Sequence, residues 1–193
     1  MTGPVQDHRR AVAERNLEAI LDAAETLLRR HDAATIAAVA SEAGVSRPTV
    51  YAHFPTREAI LEAVVERAVG RSLAAYDAAE PESGSAADAL DRVIAASWSE
   101  IDRHSAIGDA AMQQLSSAAL NRAHERGFER VRALVERGRA DGSFRDDVPP
   151  DWLVTTFFAL IHAAGEAVRA GRMEHDEALD AIRLTLRDVF RGR

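Results

Sequence analysis

The sequence predicts an all-α protein in which an amino-terminal helix-turn-helix domain of three helices precedes a larger helical domain. Apolar residues recur at helical spacing along nearly the whole chain, and no stretch shows the alternation that is typical of a strand. The segment Thr35–Phe54 has the pattern of two short helices around a tight turn. A polar loop follows at residues 80–86. We expect about nine helices, with the first domain at residues 10–55 and the second at residues 56–193.

The two short helices are delimited by capping residues. Gly44 closes the first, because glycine readily adopts the left-handed conformation that ends many helices. Ser46 is expected to cap the second, and Pro48 stands in its first turn, where proline is tolerated. Val50 and Phe54, four residues apart, form the buried edge of this second helix. A helix-turn-helix lays its second helix in the major groove of DNA, so the exposed residues of that helix determine what is recognised.

This second helix carries hydrogen-bond donors and almost no acidic residue. Arg47 suits a two-pronged contact with guanine, and Pro48 with the Thr49 methyl group suits a thymine methyl. Tyr51 and His53 are expected to hold phosphate oxygens. The alternative, ordinary surface and core positions, is less consistent with so many donors in one turn. The predicted DNA contacts are Arg47, Pro48, Thr49, Tyr51, His53, Thr35 and Arg57.

The run Gly44–Leu61 resembles the signature of the tetracycline-repressor (TetR) family of bacterial transcription regulators, and the similarity extends over about residues 15–65. The resemblance implies a homodimer with a DNA-binding domain and a divergent domain that binds a small effector and dimerises. The glycine that is usual between the first two helices is missing. We expect Asp32 to make that turn, because aspartate tolerates the left-handed conformation. Ala37 stands where many members carry a basic phosphate contact, which removes support for one backbone contact.

The charge distribution is compatible with DNA as a partner. The net charge is −7, but residues 1–57 hold as many arginines as acidic residues, and the whole acidic excess lies beyond them. We therefore expect the acidic part to face away from DNA. Arg9, Arg10 and Arg15 form either a basic arm that reaches DNA or a solvated tail.

Composition favours a globular cytoplasmic protein. The chain has 193 residues, of which 47% are hydrophobic and 28% charged. It contains no cysteine, which excludes a disulfide framework, a thiolate metal site and a cysteine nucleophile. No apolar run reaches the length of about 18 residues that a membrane span needs, and no secretory signal is recognised. We expect no membrane partner.

An enzyme is the alternative from a different class, and the sequence lacks its motifs. His104 lies near Asp102 and Asp109, a spacing that suits a metal, but no HExxH-like or Glu-x-x-His pair accompanies it. A phosphate-binding glycine-rich loop and a Gly-x-Ser-x-Gly motif are also missing. We therefore expect no catalytic residue, no bound metal and no cofactor.

A long helix from Thr56 to about residue 79 is predicted to link the two domains, because Pro55 ends the recognition helix and Thr56 offers a new cap. The remaining predicted helices are Leu90–His104, about Ile107–Leu120, Leu120 to about Ala140, Trp152–Ala170 and Asp176–Phe190.

The last two predicted helices are unusually apolar. A helix that is apolar on two faces must bury both, one against its own domain and one against something else. We expect these helices to form a four-helix bundle with their copies in a partner subunit; a thick core within one chain is the alternative. The predicted dimer contacts are Val154, Phe158, Ile161, Gly165, Ile182, Leu186 and Phe190.

The middle helices mix polar or adaptable side chains with apolar ones, as small-molecule pockets do. Each of these residues is as readily a core or surface residue. The family resemblance favours a pocket, and the scarcity of charges indicates a mainly hydrophobic or aromatic effector. The implied function is a repressor that the effector releases from a palindromic operator. The alternative is a DNA-binding regulator without an effector, which is controlled by a partner protein, acts architecturally or is an activator. The predicted effector contacts are Trp98, Met112, Gln113, His124, Phe128 and His162.

Overall fold

The computed structural model describes residues 4–192, apart from the side chains of residues 4–7 and 101–103. Arg193, which ends the predicted second domain, lies outside this range. The described chain is helical, with an isolated bridge between Phe144 and Arg191. Because the fifth helix is kinked at His104 into two segments, the predicted all-α fold of about nine helices is confirmed. The helices are α1 (Pro4–Arg29), α2 (Ile36–Glu42), α3 (Arg47–His53), α4 (Arg57–Ala78), α5 (Ala86–Gln114), α6 (Ser117–Ala140), α7 (Pro150–Arg169) and α8 (His175–Phe190).

The chain divides into two compact units, and neither is contiguous in sequence. The first contains the residues up to Ala68 together with Ala106–Ala123. The second contains Val69–Ser105 together with the residues from His124 onward. Helices α4, α5 and α6 therefore each contribute to both units. The predicted domain boundary lies just before α4, whereas the two units divide inside that helix.

In the first unit, α1 buries one apolar face, including Ile20 and Ala24. Val39 of α2 and Val50 of α3 are buried completely, at 0% exposure, and Phe54 at 8%. The apolar periodicity of the sequence therefore indicates which sides of α1, α2 and α3 pack together.

The turn between α1 and α2 differs from the prediction, because His31 and not Asp32 adopts the left-handed conformation, with φ of 59°. The His31 N–H donates to the Leu28 carbonyl at 2.9 Å, and the Asp32 N–H donates to the Leu27 carbonyl at 2.9 Å. These are the two hydrogen bonds of a Schellman motif, in which the first residue after the cap is left-handed. Since α1 ends at Arg29, that residue is His31.

The boundary between α5 and α6 also differs from the prediction of one helix over about Ile107–Leu120. Helix α5 ends at Gln114, and α6 begins at Ser117. The Ser116 hydroxyl accepts a hydrogen bond from the Ala119 N–H at 3.2 Å. A side-chain oxygen that accepts from an N–H three residues ahead is typical of an N-cap, so Ser116 starts a new helix here.

The kink in α5 has a local cause. His104 has φ of −118° and ψ of 15°, outside the helical range. Its Nδ1 lies 2.8 Å from the carbonyl oxygen of Glu100, four residues earlier. That carbonyl would accept the backbone N–H of His104 in a regular helix, and side-chain insertion into this ladder is a known cause of kinks. Arg71 of α4 donates from Nε to His104 Nε2 at 3.0 Å, which leaves the proton of a neutral imidazole on Nδ1.

The core of the second unit is a single apolar cluster contributed by α4 to α8. Trp98, Leu153, Phe157 and Leu186 in this cluster are at most 1% exposed. Phe144, from the connection between α6 and α7, packs its ring edge-on against Phe190, with ring centroids 5.3 Å apart. Helix α8 thus contacts the longest connection between the described helices.

Two arginines hold the loop between α4 and α5. Arg92 donates to the carbonyls of Ala79, Glu80 and Ser83 at 2.7 to 2.8 Å. Arg137 donates to the carbonyls of Pro81 and Gly84 at 2.6 and 2.9 Å. Five carbonyls of a loop that lacks regular structure are thereby satisfied by guanidinium donors.

Across the described residues, every helix is either too short or too polar to span a lipid bilayer.

Candidate nucleic-acid interface and effector site

The helix-turn-helix is built by three capping residues, of which the sequence predicted Gly44 and Ser46 but not Thr35. The Thr35 hydroxyl accepts from the Ala38 N–H at 3.1 Å and starts α2. Gly44 ends α2 with φ of 65°, and nothing lies within 4 Å of the position that a β-carbon would take there. The Ser46 hydroxyl accepts from the Thr49 N–H at 3.2 Å and starts α3, with Pro48 in the first turn. These caps fix which side of α3 faces solvent.

The side chains predicted to contact DNA lie mostly on the exposed side of α3. Arg47 and Pro48 are exposed, and Tyr51 is 56% exposed although it is aromatic. Thr49 and His53 are half-buried. Helix α3 contains no acidic residue, so donors dominate this surface. Its chemistry is that of a surface that meets phosphates and base edges.

Thr49 and Thr35 have less freedom than the sequence alone implied. The Thr49 hydroxyl lies 2.7 Å from the Ser46 hydroxyl, and the Thr35 hydroxyl is used as the cap of α2. The Thr49 methyl group is therefore the part of this side chain that is available to a base. Thr35 is exposed at the start of α2, where its hydroxyl caps the helix.

Arg57 occupies an unfavourable place for a cation. It is the first residue of α4, where the helix dipole is positive, and it is half-buried. Its buried Nε finds no acceptor among the described residues. An anion supplied from outside the chain would relieve both costs, which is consistent with the predicted contact of Arg57 with DNA.

Helix α4 is tied to α1 within the first unit by Arg67. Its guanidinium contacts Glu25 at 2.8 to 2.9 Å, Asp22 at 2.8 Å and Glu18 at 3.2 Å. Burial by itself lowers the pKa of Arg67, but the hydrogen bonds and charges of Glu25 and Asp22 outweigh it and raise the pKa. The arginine remains charged and anchors α4 to α1, the helix that packs against the helix-turn-helix.

The first unit also contains a small cavity of about 10 Å³. Apolar side chains such as Leu28 and Ile60 line it, together with Arg57 and Gln114. This volume holds about one water molecule and no organic effector. None of the six predicted effector residues lines this cavity.

Three of the predicted effector residues lie together in the second unit. The rings of His124 and Phe128 on α6 stack with centroids 6.3 Å apart, and Phe128 meets Phe158 of α7 edge-on at 4.9 Å. His162 on α7 lies near enough for a charge on His124 to act on it. Phe158, which was predicted to be a dimer contact, thus belongs to this aromatic group. The group combines apolar ring faces with imidazole nitrogens at a partly exposed surface.

The pKa of His162 lies below its ordinary value. Desolvation by neighbouring protein atoms is the main cause, and the charges of His124 and Arg169 act in the same direction. The side chain still reaches the surface, so the desolvation is incomplete. At neutral pH the His162 imidazole is uncharged.

The other predicted effector residues are placed differently. Trp98 is 1% exposed in the core of the second unit, and its ring lies 5.2 Å from the ring of His175. Met112 is 75% exposed and Gln113 is also exposed, and both belong to the first unit.

Most of the predicted dimer contacts are buried within one chain. Ile161 and Leu186 are 0% exposed, Phe190 is 1% exposed, and Val154, Gly165 and Ile182 are also buried. These side chains fill the core of their own unit, so they are not available at its surface. The apolar side chains that α7 and α8 do expose are those of Trp152, Ala159, Ala163 and Leu184.

Among the described side chains, no cluster of three or more histidines and carboxylates could hold a metal ion. Asp102, which was considered beside His104, lies outside the described side chains.

A capped helix-turn-helix with an acid-free reading helix, in an all-helical chain, defines a DNA-binding regulator. Residues 20–64 match the family of bacterial regulatory proteins called the tetR family. The chain is 32% identical, over 175 residues, to the HTH-type transcriptional repressor LfrR of Mycolicibacterium smegmatis, with 90% of this chain and 89% of that protein covered. The chain therefore belongs to the TetR family of transcriptional regulators, as the sequence resemblance implied.

Solved structures agree with this assignment. The chain is similar to the TetR-like transcriptional regulator LfrR from Mycobacterium smegmatis in complex with proflavine, with a TM-score of 0.69, 30% identity, and 93% of this chain and 98% of that chain covered. The fold is also that of a putative TetR-family regulator from Rhodococcus sp., with a TM-score of 0.79, 23% identity, and 92% and 98% of the chains covered. The relatives with a described role are transcriptional regulators and not enzymes.

Proposed function

We propose that this protein is a homodimeric repressor that binds a near-palindromic operator through α3 and leaves it when a small, mainly hydrophobic or aromatic effector binds. The observation that carries the proposal is the exposed, acid-free surface of α3, with Arg47 and Tyr51 presented by a well-capped helix. The repressor role is supported by the similarity to LfrR, and the aromatic effector by the proflavine in a structure of that relative. A regulator of this kind acts in the cytoplasm, where bacterial DNA lies.

The contacts are assigned by chemistry. Arg47 forms a two-pronged contact with guanine, while Pro48 and the Thr49 methyl group contact a thymine methyl. Tyr51, His53 and Arg57 hold phosphates. Two reading helices on a two-fold dimer meet equivalent half-sites one helical turn of about 34 Å apart, or a multiple of it.

The first experiment identifies the operator, by sequencing the DNA fragments that the purified protein retains from the genome that encodes it. An inverted repeat shared by the retained fragments is the expected result. The genes next to that repeat then indicate the class of the effector. Fragments without a common sequence would contradict sequence-specific binding.

The second experiment measures the affinity for that operator by gel-shift titration. Arg47→Ala is expected to cost about 1–3 kcal/mol and to relax the preference at one base, whereas Tyr51→Phe weakens binding to all sequences more evenly. Arg172→Ala removes an exposed arginine of the second unit and serves as the matched control with unchanged affinity. If the double variant Arg47→Ala, Tyr51→Phe binds the operator like the unmodified protein, α3 is not the reading helix.

Release by an effector needs a separate test, because a ligand dissociates DNA only if it binds better to the conformation with wrongly spaced reading helices. Proflavine and other flat aromatic compounds are added to the preformed complex with the operator. Loss of the complex at micromolar compound supports the proposal. Operator binding that a broad set of apolar compounds leaves unchanged would favour the alternative, a regulator controlled without a small molecule.

A further inference from the structure

Trp98 has an unusual environment for a tryptophan. Its side chain is 1% exposed within the apolar cluster of the second unit, and its indole Nε1 has no hydrogen-bond acceptor among the described residues. The indole N–H is a donor only, and leaving a buried donor unsatisfied is costly. Phenylalanine would fill most of the same space without that cost. Within the part of the chain that the structure describes, this buried donor therefore has a cost and no acceptor.

His175 lies over this indole. It is the first residue of α8, its ring centroid is 5.2 Å from that of Trp98, and it is half-buried. The backbone around it is fixed, because Glu174 and Glu177 form a capping box and Ala178, three residues on, is fully buried. The His175 Nδ1 lies 3.3 Å from Asp176 Oδ1. Rotation of the side chain away from Trp98 would change this contact and would uncover the indole without displacement of the helix.

We infer that the Trp98 N–H is the hydrogen-bond donor of an effector pocket that the His175 ring closes in the free protein, and that the pocket takes a flat aromatic molecule with a hydrogen-bond acceptor. This inference rests on the proposed function, since it names the chemistry of the effector and the residue that selects it. The walls are the surrounding apolar side chains, which favour an uncharged ring system. A carbonyl oxygen or an unprotonated ring nitrogen is the acceptor that Nε1 requires.

The test uses two probes of nearly the same shape, 9-fluorenone, which has a carbonyl acceptor, and fluorene, which has none. Binding to the full-length protein without DNA is followed by tryptophan fluorescence in a Trp152→Phe background, so that Trp98 is the remaining tryptophan of the two in the chain. We expect fluorenone to bind about five-fold more tightly than fluorene, the effect of one neutral hydrogen bond.

Trp98→Phe should abolish this preference while fluorene binding stays similar, as measured by calorimetry on a variant whose melting shows a folded protein. Trp152→Phe, which changes an exposed tryptophan of the same unit, should keep the preference. A preference that survives in Trp98→Phe, or unmodified protein that binds neither probe or both equally, would overturn the inference.

His175→Ala is the second variant, and it also covers the case in which Trp98→Phe fails to fold. Removal of the covering ring should strengthen the binding of both probes by a similar factor. Weaker binding of both would show that the ring does not close the pocket. Titration of the operator without any probe tests the proposed DNA binding separately. A failure of the pocket at Trp98 can therefore be distinguished from a failure of the proposed function.

Discussion

Arg67 meets three carboxylates of α1, and Glu25 among them is itself buried at 7% exposure. Removing the arginine takes away the charge that compensates this buried carboxylate, and breaking such a pair typically costs 3–5 kcal/mol. We expect Arg67→Met to lower the free energy of unfolding by about 3 kcal/mol in urea denaturation. Adding Glu25→Leu should recover most of the loss, since the buried charge is then gone. Equal destabilisation of the single and the double variant would contradict this account.

His162 gives the stability of the protein a pH dependence with a definite sign. Its pKa in the folded protein is lowered, mainly by desolvation, so the unfolded chain binds the proton more readily. The contribution is complete above the ordinary histidine pKa of about 6.5 and is lost as the pH falls below it. Chemical denaturation between pH 7.5 and 5 should show a smaller loss of stability in His162→Gln than in the unmodified protein. An identical pH dependence would mean that His162 titrates as it does in the unfolded chain.

Single residues also show how much of the candidate DNA site could be predicted from the sequence. The capping signals at this site are specific, because Gly44 is typical of a helix end and Ser46 with Pro48 of a helix start. The side of α3 that carries Arg47 and Tyr51 could therefore be predicted to face solvent. The sequence did not show that the Thr49 hydroxyl contacts Ser46 or that the Arg57 Nε is buried. Those facts depend on side-chain packing that no periodicity encodes.

At the scale of helices, replacement of glycine by alanine should have opposite effects on stability at two positions. A β-carbon at Gly138 of α6 would overlap the Phe144 ring, whereas one at Gly108 of α5 meets nothing within 4 Å. We expect Gly138→Ala to destabilise the protein by about 1–3 kcal/mol through overpacking. Gly108→Ala should stabilise it by up to about 1 kcal/mol, because alanine favours the helix. Thermal unfolding of both variants measures the two signs; a stable Gly138→Ala protein would mean that Phe144 moves aside at little cost.

Helix interiors were predicted well and helix ends less well. The apolar pattern from Ile107 to Leu120 continues across the break at residues 115 and 116, because the pattern records burial and not backbone continuity. Serine at position 116 was the available signal, since serine is a frequent N-cap. The predicted end of one helix at His104 and start of the next at about Ile107 coincide with the kink at His104. The left-handed conformation of His31 has no such signal, because glycine or asparagine usually takes that position.

At the scale of the whole molecule, α7 and α8 showed the limit of reasoning from amphipathic faces. The sequence predicted that α7 buries two faces, but it could not show which face the chain itself would use. The structure buries Ile161, Leu186 and Phe190 inside one unit. The alternative of a thick core within one chain thus explains these positions, and the proposed dimer relies on other residues.

The dimer is therefore best tested at the apolar positions that stay exposed. Leu184 is 65% exposed on α8, and a charge there should prevent association without disturbing the core. We expect the unmodified protein to sediment as a dimer at micromolar concentration and Leu184→Glu as a folded monomer. Ala133→Glu, at an exposed position of α6, is the matched control that stays dimeric. Phe190→Asp should unfold the protein and not merely dissociate it, and dimers of Leu184→Glu would exclude this surface.

The first compact unit draws on two separate stretches of the chain, and Gln114 from the second stretch lines the same cavity as Ala24, Leu28 and Arg57 from the first. Ile107 and Ala111, also from the second stretch, are buried. The DNA-binding part of the first unit consequently cannot be moved on its own to another protein with its packing intact. A chimaera that joins only the residues up to Ala68 to another regulator would lack the side chains of the second stretch that complete the packing of the first unit. Exchange of DNA specificity between relatives is better attempted by replacing the few exposed side chains of α3, which leave that shared core intact.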